Sequence, residues 1–491
     1  MLHSPPTPTF DPHSRLVHGW PAPAVRLAAL VSNAPAAAGR SGVGLVERKE
    51  GANGLGGRTG RAALTAFAVR VASAGIAYLT QVVLARWMGG AEYGIFVWVW
   101  VWVLILGGLS SLGLQVSVIR YVPEYLERKR YDLAAGVLRA GRIIPVAIST
   151  TVAALAFGAL VFWAGALQPN YRLPLYFGLV CLPLYTLTDV QDGIGRGRAW
   201  IGLGLVPPYI LRPLLILAGM VVAHRFGLPM LASTAAAAAL VATWSTGLIQ
   251  FLLLQRRLGR EAVAETPPAY DFREWFAVSL PIWFIAACEL AMQNLDVLVV
   301  TRYADPANVG IYFAALKSIG LIAFVNYAVG SAIAGQLSEL KARGDSAGIE
   351  RAVAAGARWT FWPSLVGALA LLAVGRPLLA MFGPDFTAGY SLMFVLAAGL
   401  VARSAVGPAE FVLRMLGEQR MCAVVSGVTA LADLALSLSL VPAYGTLGAA
   451  IANAVSLTLM AVLFHTLARR RLGFGISVFS AKKKARPQGP G

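Results

Sequence analysis

From Ala62 to position 467 the chain is a succession of apolar runs, each 20 residues or longer, separated by short polar breaks. Twelve such runs can be drawn: 62–84, 93–119, 143–167, 173–192, 200–223, 228–254, 275–300, 310–337, 359–382, 390–415, 421–441 and 446–467. At about 1.5 Å of rise per residue, each can cross the ~30 Å hydrocarbon layer of a bilayer as a helix. The runs carry Ala and Leu throughout and lack period-two alternation, which excludes barrel strands for most of them. Only 13% of the residues are charged, against roughly 25% in soluble domains. The predicted fold class is therefore an all-α membrane protein of about 12 transmembrane helices.

Prolines at 183, 207, 208, 213, 281 and 408 fall inside these runs. Membrane helices tolerate such breaks where neighbouring helices or cavity water satisfy the freed backbone groups. Residues 1–60 differ from the rest: they are rich in Pro, Ala and Gly and weakly periodic, and read as a disordered tail. The formal charge is +18, but the basic residues sit between apolar runs, so they speak of membrane orientation and not of nucleic acid. With the N-terminus in the cytoplasm, 32 of the 41 Lys and Arg fall on the cytoplasmic side and only Arg86, Arg172, Arg225, Arg302 and Arg376 on the other. The positive-inside rule then predicts a multi-pass membrane protein with both termini cytoplasmic. The basic, amphipathic segment 120–142 is expected to lie on the inner surface against anionic lipid.

The chain repeats itself. Leu84-Ala-Arg-Trp-Met-Gly-Gly-Ala-Glu-Tyr-Gly-Ile-Phe96 recurs as Val300-Thr-Arg-Tyr-Ala-Asp-Pro-Ala-Asn-Val-Gly-Ile-Tyr312, with Arg86 aligned to Arg302, Gly94 to Gly310 and Ile95 to Ile311. Pro169-Asn170-Tyr171 matches Pro384-Asp385-Phe386, and Phe226-Gly227 matches Tyr444-Gly445, at nearly the same offset. An even number of spans per half keeps both halves in one orientation, so two parallel six-helix repeats are expected, with a cavity between them. The expected organisation is an N-lobe at 61–255, a cytoplasmic linker at 256–274, a C-lobe at 275–468 and a basic C-terminal tail at 469–491.

These motifs carry a family resemblance. LARWMGGAEYGIF after the first run, SLPIWFIAACELAMQNLDVLVVTRYADPANVGIY from Ser279, MFGPDFTAGYSLMFVLAAG near 381–399 and VPAYGTLGAAIAN at 441–453 resemble polysaccharide and lipid-linked oligosaccharide flippases. These belong to the multidrug/oligosaccharidyl-lipid/polysaccharide exporter superfamily. The resemblance covers roughly 60–470 and marks the superfamily better than it marks a substrate. It implies translocation of a lipid-diphosphate-linked oligosaccharide or polysaccharide precursor from the inner to the outer leaflet of the bacterial inner (plasma) membrane by alternating access, for cell-surface polysaccharide biosynthesis. The partners implied are the lipid-linked sugar, membrane lipids and other polysaccharide-assembly proteins. The long N-terminal tail departs from the family pattern.

A charge at the bilayer centre costs about 2.5–3.5 kcal/mol on insertion scales. Arg70, Arg212, Lys317 and Arg403 lie inside runs, so they must face water, an acid or a ligand. Polar residues line up at helical spacing: Arg70, Ser73, Ala77 and Gln81; Glu289, Gln293 and Asp296; Arg403, Gly407, Glu410 and Arg414. Arg70, Arg212, Lys317 and Arg403 are the candidates for holding an anionic diphosphate, which guanidinium forks bind with paired hydrogen bonds. Structural pairing competes with that role, as in Arg403 with Glu410 or Lys317 with Glu289. Glu289 and Asp296 are candidates for coupling to H⁺ or Na⁺, against the alternative that they only balance basic neighbours. Asp189 and Asp192 are expected to pair with Arg196 and Arg198.

Other chemistry finds no support. No Lys follows a Gly, so no Walker A loop exists. Gly344-Asp-Ser-Ala-Gly348 matches GxSxG but has no strand before it. The three cysteines lack CxxC spacing and the five histidines lack metal spacing, so neither cofactor nor metal is expected. Trp98, Trp100 and Trp102 are expected as bulky lipid-facing and packing groups near the outer interface. Two other functions remain open: a cation-coupled multidrug exporter, and a membrane glycosyltransferase or polymerase. The first would favour an acid-rich cavity. The second would need carboxylates on a sizeable outer loop.

Overall fold

The computed structural model describes residues 47–162, 167–261 and 265–478. Among them no strand occurs. The helices are α1 (Glu47–Ser110), α2 (Leu114–Glu127), α3 (Tyr131–Phe162), α4 (Pro169–Gly197), α5 (Ile201–Val206), α6 (Arg212–Arg225), α7 (Ala232–Leu258), α8 (Phe272–Tyr303), α9 (Pro306–Gly320), α10 (Ala323–Ala342), α11 (Ser346–Ala373), α12 (Gly375–Ala380), α13 (Tyr390–Ser404), α14 (Ala409–Leu416) and α15 (Gln419–Leu472). A π-turn, Pro207–Leu211, joins α5 to α6.

Nine stretches among the described residues are long and apolar enough to cross a membrane, against the twelve runs drawn from hydropathy. The difference lies in how the chain is interrupted. Val69–Ser110 and Gln419–Leu472 each hold two of the drawn runs, folded at a single glycine. Gly89 has φ 76° and Gly445 has φ 57°, left-handed values that glycine adopts without Cβ strain. The run at 359–382 is shared between α11 and α12 and is not one of the nine. Apolar residues face outward, as a bilayer requires: Leu155 on α3 is 70% exposed and Leu431 on α15 likewise 70%.

Helix α1 begins at Glu47. Residues 1–46 and 479–491, which hold most of the two expected tails, lie outside the described residues. One expectation is corrected. Segment 120–142 is not an interfacial helix. It is a hairpin, α2 turning at Arg128–Arg130 into α3, and its apolar side is a protein core. Val118, Tyr121, Val122 and Tyr125 are buried against Ala134, Val137, Ile194, Leu254 and Trp275. Hence its amphipathic pattern records packing against helices and not contact with lipid.

The halves meet at two seams. In the first, a Cβ built on Gly94 would lie 1.8 Å from the Pro306 carbonyl oxygen, and one on Gly310 would lie 2.9 Å from the Gly90 oxygen. Position 306 matches position 90 at the repeat offset of 216. The contact is therefore reciprocal, as in an interface between two-fold-related surfaces. Beside it, Tyr93, Phe313, Phe382 and Phe386 form one buried aromatic cluster, with Tyr93 and Phe386 ring centres 5.9 Å apart.

In the second seam, the start of α8 rests on the end of α1 and on α2. Ser117 and Ser279 share a hydrogen bond between their hydroxyls, Trp283 Nε1 donates to the Leu109 oxygen at 3.0 Å, and Trp275 Nε1 donates to the Tyr125 hydroxyl at 3.0 Å. Trp275 is fully buried. Burial holds the Tyr125 phenol up at about 12.

The tryptophan run packs more than it projects. Trp98 meets Tyr171 edge-on at 5.1 Å, and Trp100 meets Tyr185 at 6.2 Å. Period-two spacing on a helix scatters these rings around the cylinder, so each finds a different neighbour.

Candidate functional site

A cavity of about 670 Å³ lies between the halves. From the first half, α1 contributes Ala74, Ala77, Tyr78 and Gln81, spaced at i, i+3, i+4 and i+7 and so on one face, together with Trp100 beyond the glycine fold. From the second half come Glu289 and Gln293 of α8, Lys317 of α9, Glu410 of α14 and Asn453 of α15. The walls are otherwise mainly apolar, as ligand cavities commonly are. Side-chain bonds tie the cavity wall, one between α1 and α9, Tyr78 to Ser318 at 2.9 Å, and one across the glycine fold within α1, the Tyr93 hydroxyl to Gln81 Oε1 at 2.9 Å.

The basic candidates behave differently from one another. Lys317 lines the cavity directly, its Nζ 4.8 Å from the Phe313 ring centre. Arg70 sits one helical turn before Ala74, with its guanidinium 4.1 Å above the Tyr209 ring. The guanidinium of Arg212 lies 4.7 Å from the Tyr185 ring centre and 5.9 Å from that of Trp100, itself a wall residue. Pro207 and Pro208 lack the N–H groups of a regular helix; the π-turn that absorbs this loss delivers Arg212. A guanidinium stacked on an aromatic face keeps its N–H edge for another acceptor. Among the described residues, none of Arg70, Arg212 and Lys317 forms an ion pair within 4.0 Å. The expected alternative of Lys317 with Glu289 is thus not formed.

Arg403 is committed elsewhere. Nη2 lies 3.9 Å from Glu410 Oε2, Nη1 donates to the Gly407 oxygen at 3.2 Å, and the group stands 5.5 Å from the Phe464 ring centre. The expected face Arg403–Gly407–Glu410–Arg414 is not one continuous helix, because the chain breaks between α13 and α14. Gly407 has φ 57°, and a Cβ there would lie 2.7 Å from Ala357 Cα. Arg403 bonds to the freed carbonyl, which is how a break inside a membrane helix is tolerated.

The acids divide in the same way. Glu289 and Glu410 line the cavity, and Arg414 bonds to both. Asp296 is fully buried within the second half, accepts a hydrogen bond from the Tyr312 hydroxyl and takes the Val297 N–H at 2.8 Å. On α15, which packs against α8, Asp433 is also buried, and neither of its carboxylate oxygens has a hydrogen-bond partner. In the first half Asp192 pairs with Arg196 at 2.7 Å as expected, but Arg198 pairs with Glu261 and not with an aspartate.

The geometry thus brings Lys317 and Glu289 into the cavity wall, leaves Arg70 and Arg212 outside its lining, Arg70 one turn before Ala74 and Arg212 beside Trp100, and leaves Arg403 and Asp296 inside the protein. Sequence reasoning missed Tyr209 and Tyr185 as platforms for the arginines, since nothing in their spacing links them to Arg70 or Arg212. The GxSxG match is a helix start: Asp345 accepts the Gly348 N–H at 2.7 Å as the N-cap of α11. No cluster of three or more His, Cys, Asp or Glu suited to a metal occurs among the described residues.

Comparison with known proteins agrees with this architecture. The chain is 20% identical over 415 residues to the probable low-salt glycan biosynthesis flippase Agl15 of Haloferax volcanii, covering 82% of each chain. Among solved structures it is similar to an inward-facing multidrug resistance MATE family transporter of the MOP superfamily, with TM-score 0.64, 14% identity and coverage of 83% of this chain and 98% of that one. It is equally similar to the lipid II flippase MurJ in an inward closed conformation, with TM-score 0.64, 11% identity and coverage of 83% and 87%. The family model described as polysaccharide biosynthesis protein matches residues 60–334, more than half of the chain. The chain belongs to the polysaccharide biosynthesis protein family, and it shares its fold with the two solved structures above.

Proposed function

We propose that this protein is a transporter and not an enzyme, and that it moves a lipid-diphosphate-linked oligosaccharide or polysaccharide precursor across the plasma membrane. The carrying observation is the cavity between the halves, with Lys317 in its wall and two guanidiniums held on aromatic faces near wall residues, Arg70 one turn before Ala74 and Arg212 5.9 Å from the Trp100 ring centre. Three cations with no carboxylate oxygen within 4.0 Å among the described residues suit a diphosphate, which offers several acceptor oxygens. The family and the similarity to Agl15 favour a glycan cargo. In this reading the head enters from the face bearing the basic loops, the lipid tail stays in the bilayer, and the halves rock to open the cavity to the other face. Both chain ends are on the cytoplasmic side. Arg403 serves the break at Gly407 in this reading and does not touch the ligand. Glu289 and Asp296 are the candidates for H⁺ or Na⁺ coupling.

A multidrug exporter is the second reading, supported by the MATE likeness and by Glu289 and Glu410 in the wall. Because Arg414 bonds to both carboxylates, neither is offered freely to a cationic drug. The test is deletion of the gene in its host. Under the flippase reading, lipid-linked glycan accumulates on the cytoplasmic leaflet and surface polysaccharide falls. Unchanged lipid-linked glycan together with increased drug sensitivity would favour the exporter.

A further inference from the structure

A second cavity, of about 540 Å³, lies apart from the central one and shares no lining residue with it. It opens where α8 passes into α9 and is walled by both halves. Gln168 and Tyr171 come from the start of α4, Arg302, Tyr303, Asp305 and Asn308 from the α8–α9 turn, and Tyr444 and Thr446 from the fold at Gly445. Its volume falls within the roughly 300–1,000 Å³ of small-molecule sites, well above what a single ion needs. Tyr303 and Tyr444 are 50% and 60% exposed. Among the described residues, the side chains of Gln168, Arg302, Asp305 and Asn308 make no hydrogen bond to the protein, and Asp305 precedes α9 without capping it.

The matching residues in the first half are engaged with protein groups. At the repeat offset of 216, Tyr303 corresponds to Trp87 and Asn308 to Glu92. The Trp87 ring stacks on His224 at 5.0 Å, with planes 14° apart, and Glu92 accepts the Ala232 N–H at 2.7 Å. Those groups satisfy one another. Their counterparts in the second half, Tyr303 and Asn308, line a cavity with their polar edges unused among the described residues.

The Arg302 guanidinium lies over one face of the Tyr303 ring, 5.7 Å from its centre; the exposed ring of Tyr444 and the remaining surface of Tyr303, beside a carboxylate and two amides, are complementary to sugars. Pyranose C–H faces pack on aromatic rings, and neighbouring hydroxyls pair with two-pronged acceptors and donors. We propose that this cavity is a carbohydrate-binding site on the exit side, which takes the sugar portion of the cargo outside the central cavity. The proposal rests on the flippase reading for the identity of its ligand. Because Gln168 and Tyr171 belong to one half and the other lining residues to its partner half, a glycan seated here holds the Gly94–Gly310 seam together. It binds the arrangement closed on this face in preference to the open one, so free product sugar slows turnover from outside.

The test uses the full chain in nanodiscs, and the probe is the oligosaccharide released by mild acid from its host's lipid-linked glycan. Hydrogen exchange is expected to slow at 168–171, 301–308 and 444–446, and calorimetry should find affinity reduced about tenfold in Asn308→Ala and in Tyr303→Ala, each with the wild-type melting temperature. No binding to the wild type, or protection confined to 74–81 and 289–293 around the central cavity, overturns the site whether or not the variants fold. Flipping of labelled lipid-linked glycan is measured in parallel. Transport without protection at this cavity refutes the site and leaves the function reading intact. Protection here without transport upholds the site and counts against the flippase.

Discussion

Gly94 and Gly310, 216 residues apart, lie backbone to backbone: a Cβ on the first would reach within 3.2 Å of the Gly310 nitrogen, and one on the second within 3.4 Å of the Gly94 nitrogen. Overpacking a tight contact costs about 1–3 kcal/mol, and here the strain is relieved by parting the halves. Gly94→Ala should therefore shift the population roughly tenfold toward the arrangement open on this face. Spin labels at Asn170→Cys and Arg376→Cys would report a longer distance in this variant. An unchanged distance in a folded variant would mean that the seam does not control opening.

Arg414 neutralises two carboxylates, Glu289 and Glu410. All three side chains keep some solvent exposure, so the effect of its loss is discounted from that of a fully buried pair. Arg414→Ala should destabilise by about 1–3 kcal/mol and lower the melting temperature in detergent. Adding Glu289→Gln should restore part of the loss, since Glu289 is the carboxylate left without a cation while Glu410 keeps Arg403.

The basic residues should separate by assay. Arg70→Ala and Lys317→Ala are expected to lower transport at least tenfold with little change in melting temperature. Arg403→Ala should lower the melting temperature, because it strips the bond to the Gly407 carbonyl and the partner of Glu410. Thermal unfolding and initial rates on the same preparations check both statements. A stable, inactive Arg403→Ala would put that residue back among the ligand contacts.

Trp275 anchors the first turn of α8 in the core of the other half. Trp275→Ala should cost about 3–5 kcal/mol, the range for emptying a buried aromatic site, and should speed hydrogen exchange at 272–279 before other helices. Tyr125→Phe removes only the hydroxyl that accepts the indole N–H and should cost about 1 kcal/mol. Near-equal losses in the two variants would mean that ring packing contributes little at this seam.

Much of this arrangement could be read from residues alone. Hydropathy marked the helices, and the breaks drawn near 85–92 and 442–445 fall on Gly89 and Gly445. The repeat picked out Gly94 and Gly310 as equivalent, but not that they touch, because an offset carries no distance. Arg403 with Glu410 was legible from spacing, although the helix between them is broken. The platforms under Arg70 and Arg212 were not, because Tyr209 and Tyr185 stand on other elements. Lys317 and Glu289 both reach the cavity wall without pairing, since Arg414 takes the glutamate. The hairpin at 114–162 misled because an amphipathic face looks the same whether it meets lipid or another helix.

The central claim is that the cavity carries a lipid-diphosphate-linked glycan across the bilayer. Its most direct measurement is the flipping of fluorescent lipid-diphosphate oligosaccharide in proteoliposomes, read by a membrane-impermeant quencher. The prediction is protein-dependent loss of the protected inner-leaflet fraction by the wild type, lost in Arg70→Ala and in Lys317→Ala. A quenching time course identical to protein-free vesicles, from a preparation folded by thermal unfolding, would contradict it.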